Sequence, residues 1–158
     1  MNHYLIALGS NRRHARHGLP RRVITAAFNE LGLMIIAKAR IIESKPIGPS
    51  QRNYANAAAL IETELSPEKM LSQLKRIEAG FGRRTGRRWA SRVLDLDIIL
   101  WSHGFWSSPA LTIPHPAFRQ RGFVLTPIAS VAPQWRDPVT NLTVRQLKAR
   151  LDRKHPRN

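Results

Sequence analysis

Leu94-Asp95-Leu96-Asp97-Ile98-Ile99-Leu100 is the stretch that decides how this chain folds. Apolar and acidic residues alternate through its first half, the period of a strand with one face buried. A strand rises about 3.3 Å per residue and sends successive side chains to opposite faces, so Asp95 and Asp97 share a face, with Cα atoms roughly 6–7 Å apart. Leu94, Leu96 and Ile98 point the other way. Two carboxylates this close repel unless a cation lies near them. Just upstream, Arg83, Arg84, Arg87, Arg88 and Arg92 fall within ten positions that contain no acid. Acids able to hold a metal beside arginines able to hold phosphate suggest a nucleotide site. Two readings stand at this point: paired ligands for Mg²⁺, which takes one or two carboxylates plus substrate phosphates, or a solvated strand face ion-paired to arginines.

Outward from the strand, the order of elements follows from periodicity and punctuation. Tyr4–Leu8 is a short buried strand ended by Gly9-Ser10-Asn11. A helix starts at Pro20, carries Val23, Ala26, Ala27 and Leu31 at helical spacing, and stops at Gly32. Leu33–Ile42 reads as a long strand leading into a Pro/Gly loop over residues 43–50, and Tyr54–Glu64 as its return. Ser66-Pro67-Glu68 opens a second helix whose apolar face is Met70, Leu71, Leu74, Ile77 and Phe81. The arginine loop follows, then the acidic strand. This β-α-β-β-α-β order is that of a ferredoxin-like α+β core, a four-stranded antiparallel sheet with both helices on one face. Beyond it, Pro114 and Pro116 keep residues 112–116 extended. Phe118–Ala132 reads as mostly helical with a break or kink at Pro127, and Asn141-Leu142-Thr143 opens a last amphipathic helix. We expect one domain over residues 1–158, with a helical C-terminal extension and a frayed basic tail from about 152.

The charge balance narrows the partners. Twenty-six Lys and Arg against ten Asp and Glu give +16, which attracts polyanions such as nucleic acid, an acidic membrane or a polyphosphate substrate. The chain has no cysteine, so neither a disulfide framework nor a thiolate metal site is available. There is no signal-peptide core at the start and no membrane-length apolar run, so we expect a cytoplasmic protein. No Walker A loop occurs, and Gly80-Phe81-Gly82 is not diagnostic. Other side chains stay ambiguous on residue type alone. Tyr54 and Phe123 can stack on a flat heterocycle or fill a core. Asn56 can match a base-like edge or sit in a turn. His115, held between two prolines, can meet a phosphate or lie on the surface. Trp89 is an indole in a polar loop, suited to a purine face or a closing lid.

Taken together, these residues resemble a known family. Ile6-Ala7-Leu8-Gly9-Ser10-Asn11 is similar to its opening strand and turn. Arg92-Val93-Leu94-Asp95-Leu96-Asp97-Ile98-Ile99-Leu100 is similar to its most specific block. Ile113-Pro114-His115-Pro116 followed by Arg121-Gly122-Phe123-Val124-Leu125-Thr126-Pro127 is similar to a third. The family is 6-hydroxymethyl-7,8-dihydropterin pyrophosphokinase, and the resemblance runs through about residue 135. It implies a ferredoxin-like fold and transfer of pyrophosphate from ATP to the pterin hydroxymethyl group, giving AMP, in folate biosynthesis. It implies Asp95 and Asp97 as ligands of two Mg²⁺ ions, with Arg83, Arg92 and Asp97 at the chemistry and Asp97 as a candidate base. It implies a pterin held between Tyr54 and Phe123 and bonded by Asn56, with help from Ser44, Lys45 and Ile47. On the ATP side it implies Glu78, Arg84, Trp89, Arg92, Ile98, Leu111, Thr112, His115 and Arg121. The chain departs from the family pattern at Ala90-Ser91, Lys75 and Pro116 and in an arginine loop one residue shorter, which leaves Arg84 or Arg87 as the second lid arginine. The resemblance implies small-molecule substrates, a monomer, and neither membrane nor nucleic acid as partner. The competing class is a small basic nucleic-acid-binding protein without catalytic activity. It draws on the charge, but no RNP, KH or zinc pattern supports it.

Overall fold

The computed structural model describes residues 1–11, 16–44, 54–82 and 93–155. Its frame is β1 (Asn2–Ser10), whose residues Tyr4–Leu8 are buried on both faces. β4 (Tyr54–Thr63) pairs with one edge of β1 and β5 (Asp95–Trp101) with the other, both antiparallel. β2 (Ile35–Lys38) and β3 (Ile42–Ser44) both pair with the far edge of β4, giving the order β2-β4-β1-β5 with β3 beside β4. With α1 (Pro20–Leu31) between β1 and β2, and α2 (Pro67–Gly80) between β4 and β5, this is the expected ferredoxin-like connectivity.

Residue alternation on the strands assigns the layers. Tyr4, Ile6 and Leu8 of β1 and Leu96 and Ile98 of β5 pack against Val23, Ile24 and Ala27 of α1 and Met70, Leu74 and Ile77 of α2. Leu5 and Ala7, with Ala58, Ile99 and Leu100, face the other way. There they meet Val124, Leu125 and Ile128 of α3 (Gly122–Val131) and Val144 and Leu147 of α4 (Val144–Lys154). The C-terminal extension is therefore a third layer that covers the second face of the sheet. Each fully buried Leu or Ile in these layers contributes about 1.5–3 kcal/mol of transfer free energy. Tyr4 is completely buried, and its hydroxyl donates to the Leu65 carbonyl at 2.7 Å.

Three boundaries differ from the sequence reading. The long strand expected over Leu33–Ile42 is divided: residues 32–34 form a 3-10 turn, and residues 39–41 separate β2 from β3. The two pieces still serve one partner, since the Ala39 N–H donates to the Ala58 carbonyl at 2.8 Å. The helix expected over Phe118–Ala132 breaks at Arg121, not at Pro127. Residues 118–120 make a 3-10 turn, Arg121 is extended (φ −115°, ψ 102°), and α3 runs unbroken through Pro127. Proline at 127, the sixth residue of α3, removes the bond back to the carbonyl of residue 123, and the helix continues past it to Val131 on the buried contacts of Leu125 and Ile128. Ser66 stands at the start of α2, but its side chain makes no capping bond; Pro67 and Glu68 carry that start. A hairpin of β6 (Trp106–Ser108) and β7 (Leu111–Ile113) follows β5 and leads into the segment ahead of α3.

Candidate active site

The register of the sheet gathers the candidate residues. Ile42, Asn56, Gly9 and Asp95 stand in one row across β3, β4, β1 and β5; Ala58, Ala7 and Asp97 stand in the next. Small side chains at Ala7, Gly9 and Ala58 leave a floor where larger ones would fill the space. A Cβ added to Gly9 would lie 3.3 Å from Oδ1 of Asn56, so the glycine lets the Asn56 amide lie close over β1. Asp95 and Asp97 are exposed on this face, whereas Ile99 and Leu100 further along it are buried under α3 and α4. The result is a cavity of about 650 Å³ lined by Ala7, Gly9, Asn11, Ser44, Tyr54, Asn56, Asp95, Asp97, Arg121, Phe123 and Val124. Its size suits a small heterocyclic ligand. Tyr54, 39% exposed, comes from β4, and Phe123, 53% exposed, comes from the first turn of α3.

A slip in β5 fixes the neighbouring edge of the cavity. The β1–β5 register shifts by one residue, Ile6 opposing Ile98 and Leu5 opposing Leu100, so Ile99 is an extra residue on β5. Ile99 and Leu100 can then both face α3 and α4. The Ile99 carbonyl accepts the backbone N–H of His115 at 3.0 Å, which pins that histidine to the edge of the acidic strand. Nδ1 of His115 accepts the Ala117 N–H at 3.2 Å, so the neutral ring carries its proton on Nε2. Burial holds the imidazole below the ordinary histidine range, against the pull of the Asp97 carboxylate and with the push of Arg121. His115, Asp97 and Arg121 therefore act on one another at one place. Arg121 occupies the N-cap of α3, its Cζ 5.8 Å from the centre of the Phe123 ring.

The structure brings Asp95, Asp97, Ser44, Tyr54, Asn56, Phe123 and Arg121 to this one cavity. Leu111 is half-buried and Thr112 exposed on the β6–β7 hairpin. Two residues expected on the ATP side point into the body of the protein instead. The Ile98 side chain is 3% exposed, in the core against α1 and α2. Glu78 is buried, its Oε2 accepting the Leu96 N–H at 2.9 Å and its Oε1 lying 3.4 Å from Lys75 Nζ. Its carboxylate ties α2 to the start of β5. Lys45, Ile47, Arg83, Arg84, Trp89 and Arg92 lie outside the described residues.

Sequence reasoning passed over Ala7, Gly9 and Asn11 as lining residues. The signal was available in β1, where small residues at 7 and 9 alternate with Ile6 and Leu8. It also passed over the pair formed by Arg119 and Asp137, whose bonds run from Nε to Oδ2 at 2.6 Å and from Nη2 to Oδ1 at 2.7 Å. Among the described residues no cluster of three or more His, Cys, Asp or Glu could hold a metal. The donor set is thus two aspartates, the hard oxygen ligands that Mg²⁺ accepts when a substrate's phosphates complete its shell.

Comparison with known proteins identifies the family. The family model for 7,8-dihydro-6-hydroxymethylpterin-pyrophosphokinase (HPPK) matches residues 5–133. The chain is 38% identical over 154 residues to the 2-amino-4-hydroxy-6-hydroxymethyldihydropteridine pyrophosphokinase of Haemophilus influenzae, covering 94% of this chain and 93% of that one. It is 36% identical to the Pseudomonas aeruginosa protein of the same name, covering 84% and 82%. It is also 32% identical to the folate synthesis bifunctional protein of Chlamydia trachomatis, where it spans only 31% of the relative's length. The crystal structure of Plasmodium falciparum HPPK-DHPS with pteroate superposes with a TM-score of 0.72 over 99% of this chain, which spans 46% of that one; at 14% identity it shows the fold. Nothing in these matches favours a nucleic-acid-binding protein. By family model and by identity over nearly its whole length, the chain belongs to the 7,8-dihydro-6-hydroxymethylpterin-pyrophosphokinase family, transferases of folate biosynthesis that use ATP as co-substrate.

Proposed function

We propose that the cavity on the α3 face of the sheet is where this chain joins a 6-hydroxymethyl-7,8-dihydropterin to the β-phosphorus of ATP. The observation that carries the reading is that two exposed carboxylates, Asp95 and Asp97, line the same cavity as Tyr54, Phe123 and Asn56. The aromatic pair stacks on the flat pterin ring and the Asn56 amide reads its edge. Ser44, opposite Tyr54 in the β3–β4 ladder, adds backbone groups from β3. Arg121 and the Nε2–H of His115 bond the phosphates, with Arg83, Arg84, Trp89 and Arg92 contributing from the arginine loop.

In the transfer, a bond forms between the hydroxymethyl oxygen and Pβ. The bond from Pβ to the oxygen bridging it to Pα breaks, and AMP leaves with that oxygen. Most of the acceleration comes from holding the two substrates in line and offsetting charge. Asp95 and Asp97 would hold two Mg²⁺ ions, which when bound neutralise phosphate charge. The Asp97 carboxylate is our candidate to take the hydroxyl proton. We read the protein as a monomer that acts in the cytoplasm.

The test is incubation with ATP, Mg²⁺ and the reduced hydroxymethylpterin, scored for AMP and not ADP. Asp97→Ala should abolish AMP formation and leave the circular dichroism spectrum and unfolding transition intact, because the side chain is exposed. Turnover at the wild-type rate by that variant would refute the assignment.

A further inference from the structure

We propose that Arg119 and Asp137 are positioning residues for the phosphate-binding segment, a lock supplied from beyond the part of the chain that the family model matches. His115 and Arg121 bracket a short stretch with little regular structure of its own. Its internal backbone bonds, Phe118 N–H to the His115 carbonyl at 3.4 Å and Gln120 and Arg121 N–H to residues 117 and 118 at 3.3 Å, are at the long end of the range. Two side chains tether it to the rest of the molecule. Phe118 is completely buried in the layer under α3 and α4. Arg119 lies with its Cζ 4.6 Å from the Phe118 ring centre and grips Asp137 through both arms of its guanidinium. A bidentate pair of this kind fixes orientation as well as distance.

Asp137 is built to receive that grip. It is fully buried, and its carboxylate also accepts the Thr140 hydroxyl at 2.7 Å and the Val139 N–H at 3.1 Å. Its backbone is held in turn: its N–H donates to the Leu142 carbonyl and its carbonyl accepts from Asn141, both at 2.8 Å. Asn141 takes a left-handed conformation (φ 61°) to close that turn. The turn leads directly into the capped start of α4. The family model ends at residue 133, so this anchor lies outside it. The pair therefore adds the rigidity of the α4 end to the segment between His115 and Arg121, whose other backbone ties run from His115 to Ile99 and from the Arg121 carbonyl to the first turn of α3, whereas Phe123 lies beyond the anchored segment, inside α3, whose Leu125 and Ile128 are fully buried. The inference rests on the reading that ATP phosphates meet His115 and Arg121.

The experiment uses the full chain with Mg²⁺ and a non-hydrolysable ATP analogue. Analogue affinity, pterin affinity at saturating analogue, and the unfolding midpoint are measured for Asp137→Asn, Arg121→Ala and the double variant Arg119→Met with Asp137→Leu. Misplacing a binding group by a fraction of an ångström to an ångström is expected to cost roughly tenfold to a hundredfold. Asp137→Asn should weaken the analogue by that factor and leave pterin affinity within about twofold. The double variant leaves no unpaired buried charge, so its unfolding midpoint should recover while its analogue affinity stays weak. The inference is overturned if analogue affinity recovers with stability, if both ligands weaken alike, or if Asp137→Asn binds as wild type. Arg121→Ala separates the two levels. Loss of analogue affinity there with none in Asp137→Asn refutes the lock alone. No loss in Arg121→Ala refutes the phosphate reading and the lock with it.

Discussion

At the scale of single residues, the site depends on a contrast between what β1 and β4 leave empty and what Tyr54, Phe123 and the two aspartates put back. Phe123 is more than half exposed, an arrangement that contributes little to folding and is suited to a ligand. Phe123→Ala should therefore leave the unfolding midpoint nearly unchanged and weaken pterin binding by about 0.5–1.5 kcal/mol, the usual worth of an aromatic pair; calorimetry at saturating ATP analogue checks it. The aspartates were legible because period-2 alternation places every second side chain on one face whatever the partner strands do. Glu78 is buried, and the sequence carried a signal of that burial. It follows Leu74 by four residues and Ile77 by one, on the border of the buried stripe, and its carboxylate satisfies the Leu96 N–H across the α2–β5 contact. A helix tells which side is buried, but sequence alone does not tell which backbone amide waits on the other side.

At the scale of elements, starts and stops with local causes were readable, and those with remote causes were not. Pro20 and Gly32 bound α1 as expected. The α4 start is stronger than the sequence reading supposed: Thr143 and Gln146 form a reciprocal capping box, with bonds of 3.1 and 2.9 Å. Thr143→Ala should lower stability by about 1 kcal/mol, measured as the shift in urea midpoint, and Thr143→Ser should retain most of it. The division of the Leu33–Ile42 strand was not readable from residue type: the register against β4 slips within β2, where Ile35 opposes Ile61 and Ala37 opposes Leu60, and beyond Ala39 residues 40–41 carry the chain to β3 on the same partner strand. The break at Arg121 was likewise set from a distance, by the anchoring of Phe118 and Arg119 ahead of it.

For the whole molecule, the sequence reading had the sheet and its first helical layer, and it knew a helical extension existed, but not where that extension would go. Packing it over Leu5, Ala7 and Ala58 is what creates a cavity, since the layer stops short of Asp95 and Asp97. The net charge of +16 also acts at this scale. It surrounds the site with a field that draws in a polyanion, screened over about 8–10 Å at ordinary salt. The kcat/KM for ATP should therefore fall several-fold between about 50 and 500 mM KCl, with the uncharged pterin affected much less; steady-state kinetics across that range checks it. The position of β5 has one more consequence. β5 is an outer strand of the sheet, and a bare outer strand invites a second copy to zip onto it. Here its backbone is already engaged by His115, and its solvent face carries two negative charges. The groups proposed to receive the nucleotide are thus the same groups that keep one sheet from growing into the next.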